Sequence, residues 1–232
     1  MQKKYVLFVV VIWFQTINAQ LVKRIEGKTP IGFEKEINSF LMADSACFPK
    51  PGGYLFVGSS TFRMWHDMQG YFPEIRLLQR GFGGSNMVAL NYYTPYIVLP
   101  YKPDTIVVYE GDNDLAQHVS PKAFVASCDT FLRIIHKNLP GTVVYFVSVK
   151  PSPSRLAILP AQSEANSLLK KMLKHKKRTG FIDIRPAMYD SNGKIRGELF
   201  LKDSLHITDQ CYRLWADEIK RQMHIKRNML DK

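Results

Sequence analysis

Cysteine is scarce in this chain, and what there is does not suggest a metal site. Cys47, Cys128 and Cys211 are odd in number, far apart and without metal-ligand spacing. Cys128 and Cys211 fall in amphipathic helical patterns and are expected to be buried thiols, with one disulfide plus a free thiol as the alternative. There is no low-complexity tract and no internal repeat. The longest apolar run, residues 5–14, is too short to cross a bilayer, which needs about 20 residues. Acidic residues are in deficit, with 20 Asp and Glu against 32 Lys and Arg, giving a formal net charge of +12. At 232 residues and 46% hydrophobic composition, the chain can bury the core of one compact domain.

Lys3 and Lys4 precede that apolar run, and Ala19 follows it at a plausible cut site, the layout of a secretory signal peptide. The expectation is a leader over residues 1–19, cleaved before Gln20, and a domain over 20–232 with its core at about 54–223. No cysteine follows the run, which argues against a lipid anchor there. The protein is therefore expected to be secreted or periplasmic, with no stable membrane insertion after cleavage. Much of the positive charge lies in residues 170–178 and 220–227. Such patches suit nucleic acid, but export favours plain solvated helix faces, and no nucleic-acid partner is expected. A basic surface could hold the protein near anionic envelope polymers.

Thr29 and Pro30 suit a helix start, with Ile31, Phe33, Ile37, Phe40 and Leu41 as its apolar stripe. Residues 54–57 form a short apolar run without polar alternation, as in a strand buried on both faces. Further strands are expected at 75–79, 105–109, 142–149 and 181–184, and helices over 87–98, from Ser120-Pro121 onward, after a 150–160 loop, and after Thr208. This alternation predicts a single-domain α/β protein: a three-layer α/β/α sandwich around a mainly parallel, about five-stranded, flavodoxin-like sheet. In such sheets ligands lie outside the carboxyl ends of the strands. Ser59 and Ser60, the glycines at 81–84, Asn113, the Lys150 loop and the bend from Asp203 to His206 should therefore gather on one edge.

Each of these has an ordinary explanation alone and a chemical one together. A serine on a tight turn leaving a buried strand is held with its oxygen exposed, as a nucleophile must be. Asp203 and His206, three apart on a bend, can set a carboxylate against one imidazole nitrogen. Gly84 offers an unhindered backbone N–H and Asn113 an amide donor, both suited to a developing oxyanion. Two competing motifs fail. The glycine cluster has Asn86 at the sixth position and follows the second strand, so it is not a dinucleotide fingerprint. Asp112, Asn113 and Asp114 lack the remaining ligands of a calcium loop. The two aspartates are expected to tie down the turn.

In this order the residues resemble the SGNH (GDSL-type) serine hydrolase family. Gly58-Ser59-Ser60 stands at its Gly-Asp-Ser turn, Gly83-Gly84 at its glycine, residues 111–114 at Gly-x-Asn-Asp, and residues 203–206 at Asp-x-x-His. The resemblance implies Ser60 as nucleophile, His206 as general base then acid, and Asp203 as its orienter. The Ser60 and Gly84 N–H groups and the Asn113 amide would form the oxyanion hole. It implies no metal and no organic cofactor. Ser59 replaces the family aspartate, which makes it the alternative nucleophile. Lys150 and Arg155 should border the site as candidates to meet an anionic or sugar substrate. The expected substrate is a small acyl ester, with acetyl esters of carbohydrate preferred because no lid-like apolar insertion is evident. A lysophospholipase, a thioesterase and a non-catalytic envelope-binding module are the alternatives.

Overall fold

The computed structural model describes residues 32–225. The expected helix start at Thr29-Pro30 and the leader lie outside them. Residues 1–50 and 51–232 form two units. In the first, helix α1 runs Glu34–Ala46, with Glu34 and Glu36 in its first turn, where negative charge suits the helix dipole.

The second unit is built on five strands: β1 Tyr54–Gly58, β2 Leu77–Gly81, β3 Thr105–Tyr109, β4 Val143–Val147 and β5 Thr179–Ile182. They lie side by side in the order β2-β1-β3-β4-β5, and every pairing is parallel. This is the flavodoxin-like order, whose direction of winding reverses between β1 and β3. Between the strands come the short helices α2 Ser60–Arg63 and α3 Met68–Tyr71, then α4 Met87–Ile97, α5 Asp112–Ala116, α6 Pro121–Asn138 and α7 Leu159–Leu173. Helix α8, Asp209–Met223, ends the described chain.

Side chains alternate across the strands, so each face has its own core. On one face Phe56 and Val107 stand in register. They join Tyr109, Val147 and Ile182 against Phe62, Trp65, Trp215 and Ile219. On the other face Phe146 meets Phe131 of α6 edge-on, with ring centroids 6.2 Å apart. Helix starts follow side-chain chemistry: Asn86, Ser120 and Thr208 each cap a helix by accepting a backbone N–H from its first turn.

The strands begin and end differently from the sequence expectation at three places. β2 runs two residues later than 75–79 because it is an edge strand that accepts polar residues. Arg80 is buried there by donating from Nε to the Tyr101 hydroxyl at 2.8 Å, with its guanidinium 4.9 Å from that ring. β5 starts earlier, at Thr179, and Gly180 sits where any Cβ would meet the Tyr145 ring at 2.4 Å. β4 is shorter than 142–149. Pro160, expected in a loop, lies in the first turn of α7, where its missing N–H costs no helical bond.

Candidate active site

The turn carrying Ser59 and Ser60 is shaped by backbone collision. Gly58 has φ +140°, and a Cβ there would stand 2.0 Å from the Tyr109 carbonyl oxygen of the neighbouring strand. Only glycine lets β1 end so close to β3. The chain then turns sharply: the Ser59 N–H donates to Tyr109 O at 3.0 Å, and α2 opens at Ser60. Ser59 is buried at 2% exposure, whereas Ser60 is half-buried.

Across 146 residues of sequence, His206 Nε2 lies 3.0 Å from Ser60 Oγ. Its Nδ1 lies 2.6 Å from Asp203 Oδ2. The other carboxylate oxygen, Oδ1, accepts the N–H groups of Leu205 and His206, both at 3.0 Å. Burial works to raise the Asp203 pKa, but the His206 ring and these two backbone donors outweigh it and bring the carboxyl down to about 2. An ionised Asp203 selects the tautomer with hydrogen on Nδ1, leaving Nε2 to accept from Ser60. The bend is stitched to the rest of the molecule on both sides. Leu201 N–H donates to His206 O at 2.7 Å, and Ser154 N–H donates to Ser204 O at 3.1 Å.

The glycine loop and the Asn113 turn are joined to each other and to Gly58. Phe82 N–H donates to Gly58 O at 2.8 Å. Asn113 Nδ2 donates to Ser85 O at 2.9 Å, and Met87 N–H to Asp114 Oδ1 at 3.0 Å. An amide nitrogen carries two hydrogens, so this bond leaves one for a ligand. Gly84 is exposed at φ +74°, with open space where its Cβ would be. Asp114 carries out the expected tie. Burial pushes its carboxyl up to about 6, against the pull of the backbone N–H groups around it.

The expectation for Lys150 is corrected. Its side chain is 1% exposed, and Nζ sits 2.8 Å from Asp112 Oδ2. A buried cation already paired to a buried carboxylate cannot greet a substrate; it anchors the loop after β4 beneath the Asn113 turn. Arg155 stays nearer the surface, 28% exposed, with Nε 3.7 Å from Asp112 Oδ1. Three residues that hold the site carry no signal in sequence. Tyr212 donates its hydroxyl to Thr61 O at 2.8 Å, and Ser85 and Glu110 are buried together below the loop. Cys128 and Cys211 are buried and Cys47 exposed, all three as free thiols. Among the described residues no cluster of His, Cys, Asp and Glu could hold a metal ion, and no helix is long and apolar enough to cross a membrane.

A hydroxyl, imidazole and carboxylate in series, at 3.0 and 2.6 Å, form the arrangement a serine hydrolase uses. The profile of the GDSL-like Lipase/Acylhydrolase family matches residues 56–214, so the chain belongs to that family and is an ester hydrolase. No curated protein matches the chain. Solved structures share the fold. A candidate platelet activating factor from Streptococcus pneumonia is 17% identical with a TM-score of 0.74, covering 90% of this chain and 99% of its own. A GDSL-like lipase from Bacteroides thetaiotaomicron is 19% identical with a TM-score of 0.66, covering 81% and 97%. A catalytic mutant of an acetylxylan esterase from Geobacillus stearothermophilus is 13% identical with a TM-score of 0.64, covering 76% and 95%.

Proposed function

We propose that this chain is an exported serine esterase that removes short acyl groups, acetyl foremost, from a polar alcohol such as a carbohydrate. The observation that carries the chemistry is the unbroken series from Ser60 Oγ through the His206 ring to Asp203, at 3.0 and 2.6 Å. As Ser60 Oγ attacks the ester carbonyl, its hydrogen passes to His206 Nε2, and Asp203 steadies the resulting imidazolium. The oxyanion is met by the Ser60 and Gly84 N–H groups and the free hydrogen of the Asn113 amide. His206 then returns the proton to the departing alcohol, leaving an acyl-Ser60. Water, deprotonated by the same ring, hydrolyses the acyl-enzyme and restores the hydroxyl.

Two features support the substrate class. Gly84 is exposed and Ser60 half-buried, accessibility that suits a small acyl group. A groove of about 660 Å³ is lined by Pro153, Leu156 and Ile195 together with Asp190, Lys194, Arg196 and Glu198. The Ser154–Ser204 bond ties the segment carrying Pro153 and Leu156 to the catalytic bend. The charged residues can hydrogen-bond the hydroxyls of a polar alcohol, while Pro153, Leu156 and Ile195 offer apolar surface to its ring faces. The acetylxylan esterase among the structural neighbours agrees with this reading.

The test is an acyl-chain-length series on model esters, with Ser60→Ala as control. Rates should peak at acetyl and vanish in the variant. A maximum at long chains would shift the assignment to a lysophospholipase, and preference for a thioester leaving group to a thioesterase. Export rests on the leader pattern in residues 1–19; a mature N-terminus at Gln20 in the secreted or periplasmic fraction is the expected result.

A further inference from the structure

Beneath the Asn113 turn sit buried groups that the acyl-transfer steps do not use. Glu110 follows β3 directly and is 2% exposed, and Ser85 is fully buried. Ser85 Oγ stands 2.6 Å from Glu110 Oε1 and 3.1 Å from the Phe82 carbonyl oxygen. A hydroxyl has one hydrogen to give, and a carbonyl oxygen has none. One hydrogen shared between two acceptors serves each poorly, whereas both contacts are full two-centre hydrogen bonds when Ser85 donates to Phe82 and the Glu110 carboxyl donates to Ser85.

The surroundings agree. Glu110 Oε2 has no hydrogen-bond partner among the described residues. That is costly for an ionised oxygen and far less so for the carbonyl oxygen of a neutral acid. The charges nearby are Asp114 and Asp112, both of the same sign, and Lys150 already faces Asp112. Burial first, then the Asp114 charge, pushes the Glu110 carboxyl well above the usual carboxylate range, and the Ser85 contact does not offset them.

We propose that Glu110 is a positioning residue that donates a hydrogen bond to Ser85 Oγ and thereby holds Gly84 and Asn113 in place for the oxyanion. Ser85 is the joint: its hydroxyl is held from below by Glu110, and its carbonyl accepts the Asn113 amide at 2.9 Å. Its peptide nitrogen is bonded to Gly84 itself. Fixing one hydrogen of the Asn113 amide on Ser85 O aims the other. Glu110 touches no reacting atom and acts only through Ser85. The inference rests on Gly84 and Asn113 being the oxyanion donors. Misplacing such groups by about an ångström can cost ~10² in rate.

Two measurements on the full chain test it. The first is the infrared difference spectrum between wild type and Glu110→Gln at neutral pH. The second is steady-state kinetics of Glu110→Ala, Glu110→Gln and Ser85→Ala on an acetyl ester. The substitution by Gln should remove a protonated-carboxyl stretch. Glu110→Ala and Ser85→Ala should lower kcat by ~10- to 100-fold with KM changed by less than about twofold. Glu110→Gln, whose amide can also donate to Ser85, should restore most of the kcat lost in Glu110→Ala. Loss of a carboxylate stretch instead overturns the proposal, as does a folded Glu110→Ala with wild-type kcat. If Glu110→Ala does not fold, the spectrum of the Gln variant and the kinetics of Ser85→Ala decide. A wild type inert towards both ester and fluorophosphonate removes the positioning role along with the esterase reading; the infrared band still reports the Glu110 proton, so the two failures are distinguishable.

Discussion

Tyr212 reaches from α8 to donate its hydroxyl to the carbonyl oxygen of Thr61, 2.8 Å away in the helix that begins at Ser60. Its ring stacks on Trp65, with centroids 4.7 Å apart. Because α8 starts just after His206, this bond fixes the two halves of the catalytic pair relative to one another. Tyr212→Phe keeps the stack and removes the bond. It should cost about 1 kcal/mol, the usual net worth of one buried hydrogen bond, read from urea denaturation, and should lower kcat more than it changes KM.

The two glycines of the site should fail differently. Gly58→Ala places a methyl group against the Tyr109 carbonyl at 2.0 Å. That collision should destabilise the fold by more than about 4 kcal/mol, or prevent folding. Gly84→Ala meets nothing within 4 Å and suffers only from φ +74°, a strain of ~1–2 kcal/mol. Thermal melts of the two variants separate collision from strain. Equal losses would mean that the approach of β1 to β3 is not what demands glycine.

Asp114 should carry a pH signature. Its carboxyl titrates near 6 in the folded chain, against about 3.9 when unfolded. Between these values the folded state binds the extra proton, so stability falls as pH rises from about 4 through about 6. Asp114→Asn keeps an oxygen for the Met87 N–H and cannot ionise. It should gain ~1–2 kcal/mol over wild type at pH 8, after the cost of its unpartnered amide, and lose that advantage at pH 4. Denaturation curves at the two pH values check this; a difference independent of pH contradicts it.

Asn113→Ala removes the proposed oxyanion donor and the bond to Ser85 O together. Turnover should fall ~10²–10³-fold, and stability by about 1 kcal/mol. Asp203 stays ionised down to about pH 2, so it adds no limb of its own to the profile, and Asp203→Asn should depress kcat at every pH assayed. A folded variant with wild-type kcat at neutral pH would show that Asp203 does not orient the ring.

The sheet, and the meeting of Ser60 with His206 and Asp203, were legible because the motifs that mark them are local. β1 and β3 are unbroken apolar runs, and the turns after them carry glycine and small polar residues on the sheet edge where the winding reverses. What sequence hid depends on partners far along the chain. The second strand was expected to stop at Gln79, before the charged Arg80, yet Arg80 lies in β2 and is buried through Tyr101. Lys150 read as a loop lysine because nothing near it announces Asp112, 38 residues earlier. Glu110 and Ser85 gave no signal for the same reason: the hydroxyl that meets the carboxyl lies 25 positions away.

The most direct test of the central claim is fluorophosphonate labelling of the folded protein followed by mapping of the modified peptide. One adduct on Ser60 is expected, absent from Ser60→Ala, retained in Ser59→Ala and strongly slowed in His206→Ala. No adduct on folded wild type, or an adduct on Ser59, would contradict it.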